Sequence, residues 1–192
     1  MPTLRRRFRW ESLLWIVPAL FIGYRIWPQV AAAFGVASAN APAPPFQLTT
    51  LDGRTVTSDQ LKGKVVLVNF WATWCPPCRM EMPGFESVYE RNANRDFVVL
   101  GVSMDEGSSD GVQKFLADRK ITYPVAMATA DMVRNFGGVN LLPSSFLLDK
   151  QGRIRNEVRG IFTSVALEEA VRHLLDEPGP DPSATTRVGS TR

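Results

Sequence analysis

One histidine and two cysteines stand among 192 residues, and that scarcity excludes several chemistries at once. A structural zinc site needs four ligands, and Cys75, Cys78 and His173 cannot supply them within one chain. Covalent haem attachment needs a histidine directly after the second cysteine, where this chain has Arg79. Charge of one sign is also scarce. The formal net charge is +3, and Arg5, Arg6, Arg7 and Arg9 are bunched at the start. No interleaved basic-aromatic stripe runs through the central region, which argues against a nucleic-acid partner. Internal repeats are absent. The apolar run Leu13–Tyr24 is shorter than the roughly 20 residues a spanning helix wants, unless it continues through Arg25 to Val36.

What is present at the N-terminus is a basic cluster followed directly by that apolar run, the layout of a signal sequence or signal anchor. Trp10, Trp15 and Trp27 suit interfacial anchoring, and Arg25 can snorkel toward headgroups. A cleaved signal peptide is the competing reading, with Ala37-Ser38-Ala39 or Ala39-Asn40-Ala41 as the peptidase site. Those sites lie far past the apolar run, so the uncleaved anchor is preferred. Either way the body of the protein is expected outside the cytoplasm. The expected organisation is an anchor over residues 1–36, a Pro/Ala tether over 37–45, one folded domain over 46–176, and a disordered Pro/Gly/Ser/Thr tail over 177–192.

Within the domain, Phe46 to Val56 reads as a hairpin around Leu51-Asp52-Gly53-Arg54. Val65 to Phe70 is a near-continuous run of strand formers, as in a strand buried on both faces. A helix follows from Pro76 to about Ala93, with Met80, Phe85, Val88 and Tyr89 at helical spacing. Phe97 to Val102 is a second buried strand, Ser109 to Lys120 a helix, Tyr123 to Ala126 a short strand and Asp131 to Phe136 a short helix. Ser144 to Leu148 and Ile154 to Gly160 flank a polar turn and form an antiparallel hairpin. A last helix spans Ser164 to Leu175, with Leu167, Val171, Leu174 and Leu175 inward. The order predicts an α/β fold with a mixed central sheet flanked by helices.

The two cysteines sit two residues apart, in Trp74-Cys75-Pro76-Pro77-Cys78, at a strand-to-helix junction. A structural disulfide closing so small a loop restricts the unfolded chain little. A redox pair makes better physical sense. A helix N-terminus points free amide groups and its positive dipole end at Cys75, which favours the nucleophilic thiolate. Pro76 and Pro77 lack amide hydrogens, but the first helical positions need none, and their fixed φ holds the sulfurs close. Cys78, one turn in, is the expected resolving thiol. Cys75 attacks a substrate disulfide, and Cys78 then attacks Cys75 and releases reduced substrate. A peroxidase would instead need a peroxide-activating environment around a lone cysteine.

The stretch Phe70-Trp71-Ala72-Thr73-Trp74-Cys75-Pro76-Pro77-Cys78 resembles the active site of thioredoxins. Pro83 matches their helix proline, and Leu142-Pro143-Ser144-Ser145-Phe146 matches the loop whose cis-proline faces the dithiol. The resemblance covers about Phe46 to Leu175 and implies a thioredoxin fold, with Leu142-Pro143 cis. The N-terminal anchor, the helix-bearing insertion between Ser103 and Tyr123, and Glu81 in Arg79-Met80-Glu81-Met82-Pro83 resemble more narrowly the TlpA/ResA-like reductases, CcmG/DsbE-like proteins among them. That resemblance implies an extracytoplasmic protein-disulfide reductase at the bacterial inner membrane, working in the periplasm without a cofactor. It also implies a role in cytochrome c maturation or related assembly, and a membrane electron donor of the DsbD/CcdA kind.

Residue by residue, spacing alone leaves Glu81 as either a solvated helix residue or a proton carrier beside the sulfurs, and the resemblance implies the second. A carboxylate there opposes thiolate formation. Asn69 occupies the position of the buried acid of thioredoxins and cannot titrate, so proton handling passes to Glu81. Trp74 is expected to cover the dithiol and meet partners, and Trp71 to pack. Met80 and Met82 suit either a soft contact surface or core. His173 reads as a helix-surface residue, and Asp105, Glu106, Ser108, Ser109 and Asp110 as loop and helix cap. A thiol oxidant or isomerase uses the same dithiol, as does a copper-handling chaperone, though no further Met, His or Cys cluster supports the latter.

Overall fold

The structure is a computed structural model and describes residues 36–37 and 40–179. The expected anchor lies outside the described residues except for Val36, as does the tail beyond residue 179. Among the described residues, no helix is long and apolar enough to cross a membrane.

The strands are β1 (Val36–Ala37), β2 (Ala41–Pro42), β3 (Gln47–Thr49), β4 (Thr55–Thr57), β5 (Val65–Trp71), β6 (Phe97–Ser103), β7 (Val125–Met127), β8 (Ser144–Leu148) and β9 (Arg153–Arg159). The helices are α1 (Pro76–Arg91), α2 (Asp110–Asp118), α3 (Ala130–Asn135) and α4 (Ser164–Asp176). The main sheet runs β1-β9-β8-β5-β6-β7, with β2 also on the outer edge of β9, and β3-β4 pair separately. β5, β6 and β7 are parallel, β8 runs against them, and β9, antiparallel to β8, points the same way as β5. This is the thioredoxin fold.

β5 is central and buried along its whole length, which explains its unbroken apolar sequence. Alternation sends Val65, Leu67 and Trp71 toward α1, α2 and α4, and Val66, Val68 and Phe70 toward α3 and the β3-β4 hairpin. Asn69, an odd-numbered residue, therefore faces α1. On α1, Met82 falls in phase with Cys78 and Phe85 and is buried, while Met80 is off that phase and 72% exposed. β7 begins at Val125 rather than Tyr123, because Pro124 has no N–H to donate, although its carbonyl already accepts from Gly101 N–H of β6 at 2.9 Å.

The expected tether proves to be part of the sheet. Ala41 pairs with Ile154 and Pro42 with Arg153, and Ala43 N–H donates to the Gly152 carbonyl at 2.8 Å. The outer edge of β9 offers free backbone groups that the preceding chain satisfies, and proline is tolerated on such an edge. At the other end, order continues past residue 176. Arg155 holds Glu177 at 2.6 and 3.0 Å, and Gln151 Nε2 donates to the Pro178 carbonyl at 3.0 Å.

Candidate functional site

β5 ends at Trp71, and Ala72-Thr73-Trp74 carries the chain to α1. Cys75 is the N-cap of α1, with Pro76 and Pro77 at the first two helical positions, and its Sγ lies 3.3 Å from the Cys78 amide that donates to it. Cys75 and Cys78 are joined in a disulfide. Both cysteines are buried, Cys78 fully and Cys75 with slight exposure. Trp74 is exposed and Trp71 completely buried.

The dithiol loop is gripped from the insertion. The Asp105 carboxylate accepts from Thr73 N–H at 2.9 Å, from Thr73 Oγ1 at 2.5 Å and from Ser103 Oγ at 2.8 Å. Met104 N–H donates to the Trp71 carbonyl at 2.8 Å, so backbone and side chain hold the same loop. Spacing could not reveal this clamp. Asp105 and Thr73 lie 32 positions apart, and only the parallel pairing Trp71↔Ser103 brings their neighbours together.

Leu142-Pro143 is a cis peptide. The pairing of Phe70 with Ser144 places Pro143 level with the end of β5, where the dithiol loop starts. Gly160 N–H donates to the Pro143 carbonyl at 2.8 Å, and Phe162 N–H, two residues on, donates to Glu81 Oε2 at 3.0 Å. One short segment thus ties the proline loop to the helix that bears the cysteines.

Glu81 is buried, not solvated. Its Oε1 accepts from Asn69 Nδ2 at 3.0 Å, and the same amide donates to Ser145 Oγ at 3.0 Å. Burial pushes the Glu81 carboxyl up to about 7, against the opposing hydrogen bonds from Phe162 and Asn69. The Asn69 Oδ1, Trp71 Nε1 and Tyr123 hydroxyl are buried without a side-chain or backbone partner. The Tyr123 phenol is pushed up by burial, with Glu86 and Glu81 adding.

Among the described residues the large apolar side chains left exposed are Trp74, Met80, Leu141, Ile161 and Val165. They belong to the dithiol loop, the first turns of α1, the proline loop, the Gly160–Thr163 segment and the start of α4, at the end of the sheet where β5 and β9 terminate. His173 stands apart on α4, its side chain 71% exposed and Nδ1 3.3 Å from Glu177 Oε1. No group of three or more His, Cys, Asp or Glu side chains among the described residues is arranged to hold a metal ion.

Comparison with known proteins agrees with this geometry. Residues 39–157 match the model of the AhpC/TSA family. The thiol-disulfide oxidoreductase ResA of Geobacillus thermodenitrificans is 33% identical over 170 residues, 88% of this chain and 95% of that protein. The crystal structure of a thiol:disulfide interchange protein of the thioredoxin family from Chlorobium tepidum superposes with a TM-score of 0.66 at 35% identity, covering 72% of this chain and 99% of that one. A secreted thiol-disulfide isomerase from Corynebacterium glutamicum gives a TM-score of 0.65 at 26% identity, covering 70% and 86%. With a Cys-Pro-Pro-Cys disulfide capping α1 beside a cis-proline loop, the chain belongs to the AhpC/TSA family of thioredoxin-fold proteins and is a thiol–disulfide oxidoreductase of the ResA/DsbE type.

Proposed function

We propose that this oxidoreductase reduces protein disulfides outside the cytoplasm, anchored at the bacterial inner membrane by its N-terminal segment, in cytochrome c maturation or a related assembly process. The observation that carries the direction is the buried Glu81, one helical turn past Cys78 on the same face of α1. Strong dithiol oxidants owe their potential to a stabilised thiolate in the reduced form. A carboxyl held beside the pair works against that thiolate, and so favours the reducing direction. The exposed apolar frame of the disulfide suits protein partners, and the basic cluster before Leu13 supports export with the body outside.

The cycle starts from the reduced pair. The Cys75 thiolate attacks a substrate disulfide, a new sulfur–sulfur bond forms to Cys75, and one substrate sulfur leaves as thiolate. Cys78 passes its proton to the Glu81 carboxylate and attacks Cys75 Sγ. The second substrate sulfur leaves as thiolate, and the Cys75–Cys78 disulfide remains with Glu81 protonated. Two electrons have moved to the substrate. A membrane electron donor of the DsbD/CcdA kind then returns the pair to the dithiol. Trp74, Pro76, Pro77, Leu142 and Pro143 shape the surface on which the mixed disulfide forms.

Two measurements test this. The Cys78→Ala variant should trap substrates on Cys75, and an apocytochrome among the adducts identifies the pathway; absence of adducts through Cys75 refutes the order of attack. Equilibration with glutathione should place the potential near the thioredoxin end, about −270 mV, and a value near about −120 mV would make the protein an oxidant.

A further inference from the structure

We propose that the dithiol end of the domain faces the lipid surface of the membrane, an orientation that rests on the anchor proposed above. The first strands run in a direction that fixes where the chain enters the domain. β2 runs antiparallel to β9, with Ala41 level with Ile154 and Pro42 with Arg153. Followed backward, the chain climbs β9 until Val36 stands opposite Val158. Two residues beyond Val158, Gly160 N–H holds the Pro143 carbonyl. The chain therefore enters the domain at the end of the sheet that carries Cys75, Cys78 and Pro143, and not at the far end.

The slack between membrane and domain is small. A span beginning at Leu13 needs about 20 residues and so uses the sequence to about residue 32. Val36 is already paired to β9, which leaves three residues, an extended reach of about 10 Å. Residues 41–43, which a free tether would need, are hydrogen-bonded along β9 and Gly152. The far end of the sheet lies about seven residues of strand away, roughly 20 Å.

The two ends also differ in character. Trp74, Met80, Leu141, Ile161 and Val165 are exposed on the segments at the dithiol end, where one ion pair, Arg159–Glu157, lies beside Ser144. The far end carries the exposed ion pairs Lys62–Asp59, Lys64–Asp96 and Arg95–Asp176. Apolar side chains gain by meeting an interface and fully charged pairs do not. Entry point, short slack and apolar surface select the same end.

The experiment uses the full chain, with both cysteines changed to serine, in phosphatidylcholine–phosphatidylglycerol vesicles (3:1) carrying an acceptor dye on outer-leaflet headgroups. A donor dye is attached at Leu141→Cys near the dithiol or at Lys62→Cys at the far end, and circular dichroism confirms that each variant is folded. Energy transfer from position 141 should exceed that from position 62 at least twofold. Equal or reversed transfer from vesicle-bound protein overturns the orientation alone. Failure of the chain to float with vesicles in a density gradient overturns the anchor and the orientation with it.

Discussion

The two faces of the sheet share an apolar core but differ in the polar groups they bury. Toward α3 and the β3-β4 hairpin the packing is apolar and aromatic. Phe70, Phe136 and Phe146 meet pairwise at ring-centroid distances of 5.6, 5.9 and 5.0 Å, and Phe46 joins Phe136 at 6.1 Å. Toward α1 and α4 the same strand presents Asn69 to Glu81, and among the described residues the three buried side-chain polar atoms without partners, on Asn69, Trp71 and Tyr123, all lie on this face. Burying polar groups incompletely paired costs stability. Both faces bury apolar side chains, and the α1–α4 face also carries the two cysteines and the buried Glu81.

Breaking the apolar face should give the largest loss of stability. Phe136→Ala empties an aromatic site and should cost about 3–5 kcal/mol in denaturant unfolding. The pH dependence of disulfide exchange by the molecules that remain folded should not change. A shifted pH profile would show that the two faces are not separable.

The polar face should respond to pH. Because the folded-state Glu81 carboxyl sits near 7 against an ordinary 4.5, the folded protein holds this proton more tightly than the unfolded chain. Its contribution is therefore fully present below about 4.5, is lost as pH rises through the window from about 4.5 to about 7, and stays lost above it. Unfolding free energy of the oxidised wild type should fall by about 3 kcal/mol across that window. Glu81→Gln should flatten the profile, and an unchanged slope would remove Glu81 as its source.

Gly84→Ala probes the seam between α1 and α4. An added methyl would lie 2.8 Å from Ser164 Cβ, so α4 must shift and draw the Phe162 segment away from Glu81. The expected cost is about 1–3 kcal/mol, accompanied by a changed pH profile for exchange. The smallest effect on the fold should come from Trp74→Ala. Stability should change by less than about 0.5 kcal/mol, because the side chain is 66% exposed. Turnover with a protein disulfide should fall about tenfold, while turnover with a small disulfide is retained.

Local signals made most of the fold legible in the sequence. The unbroken run Val65–Phe70, the helix-phased residues of α4 and the turn at Asp149–Gly152 all act over a few residues, and each corresponds to an observed element. The cysteine pair was legible for the same reason. The contact of Asn69 with Glu81, the seat of Asp105 on Thr73 and the use of residues 41–43 to cover β9 depend on strand order and register. No spacing rule encodes those. Met80 shows the limit at short range: Met80 and Met82 both neighbour buried residues, and only the phase set by Cys78 and Phe85 decides which turns outward.

The Asp105 seat gives the inserted segment authority over the reactive loop. Thr73 takes its position from a carboxylate outside the Cys-Pro-Pro-Cys motif, so a mutation that moves the Ser103–Asp105 corner moves the platform of Cys75 while leaving every motif residue intact. Two proteins with identical dithiol motifs can thereby differ in reactivity, and a redesign of this one can tune its sulfur chemistry from a part of the chain that never touches sulfur.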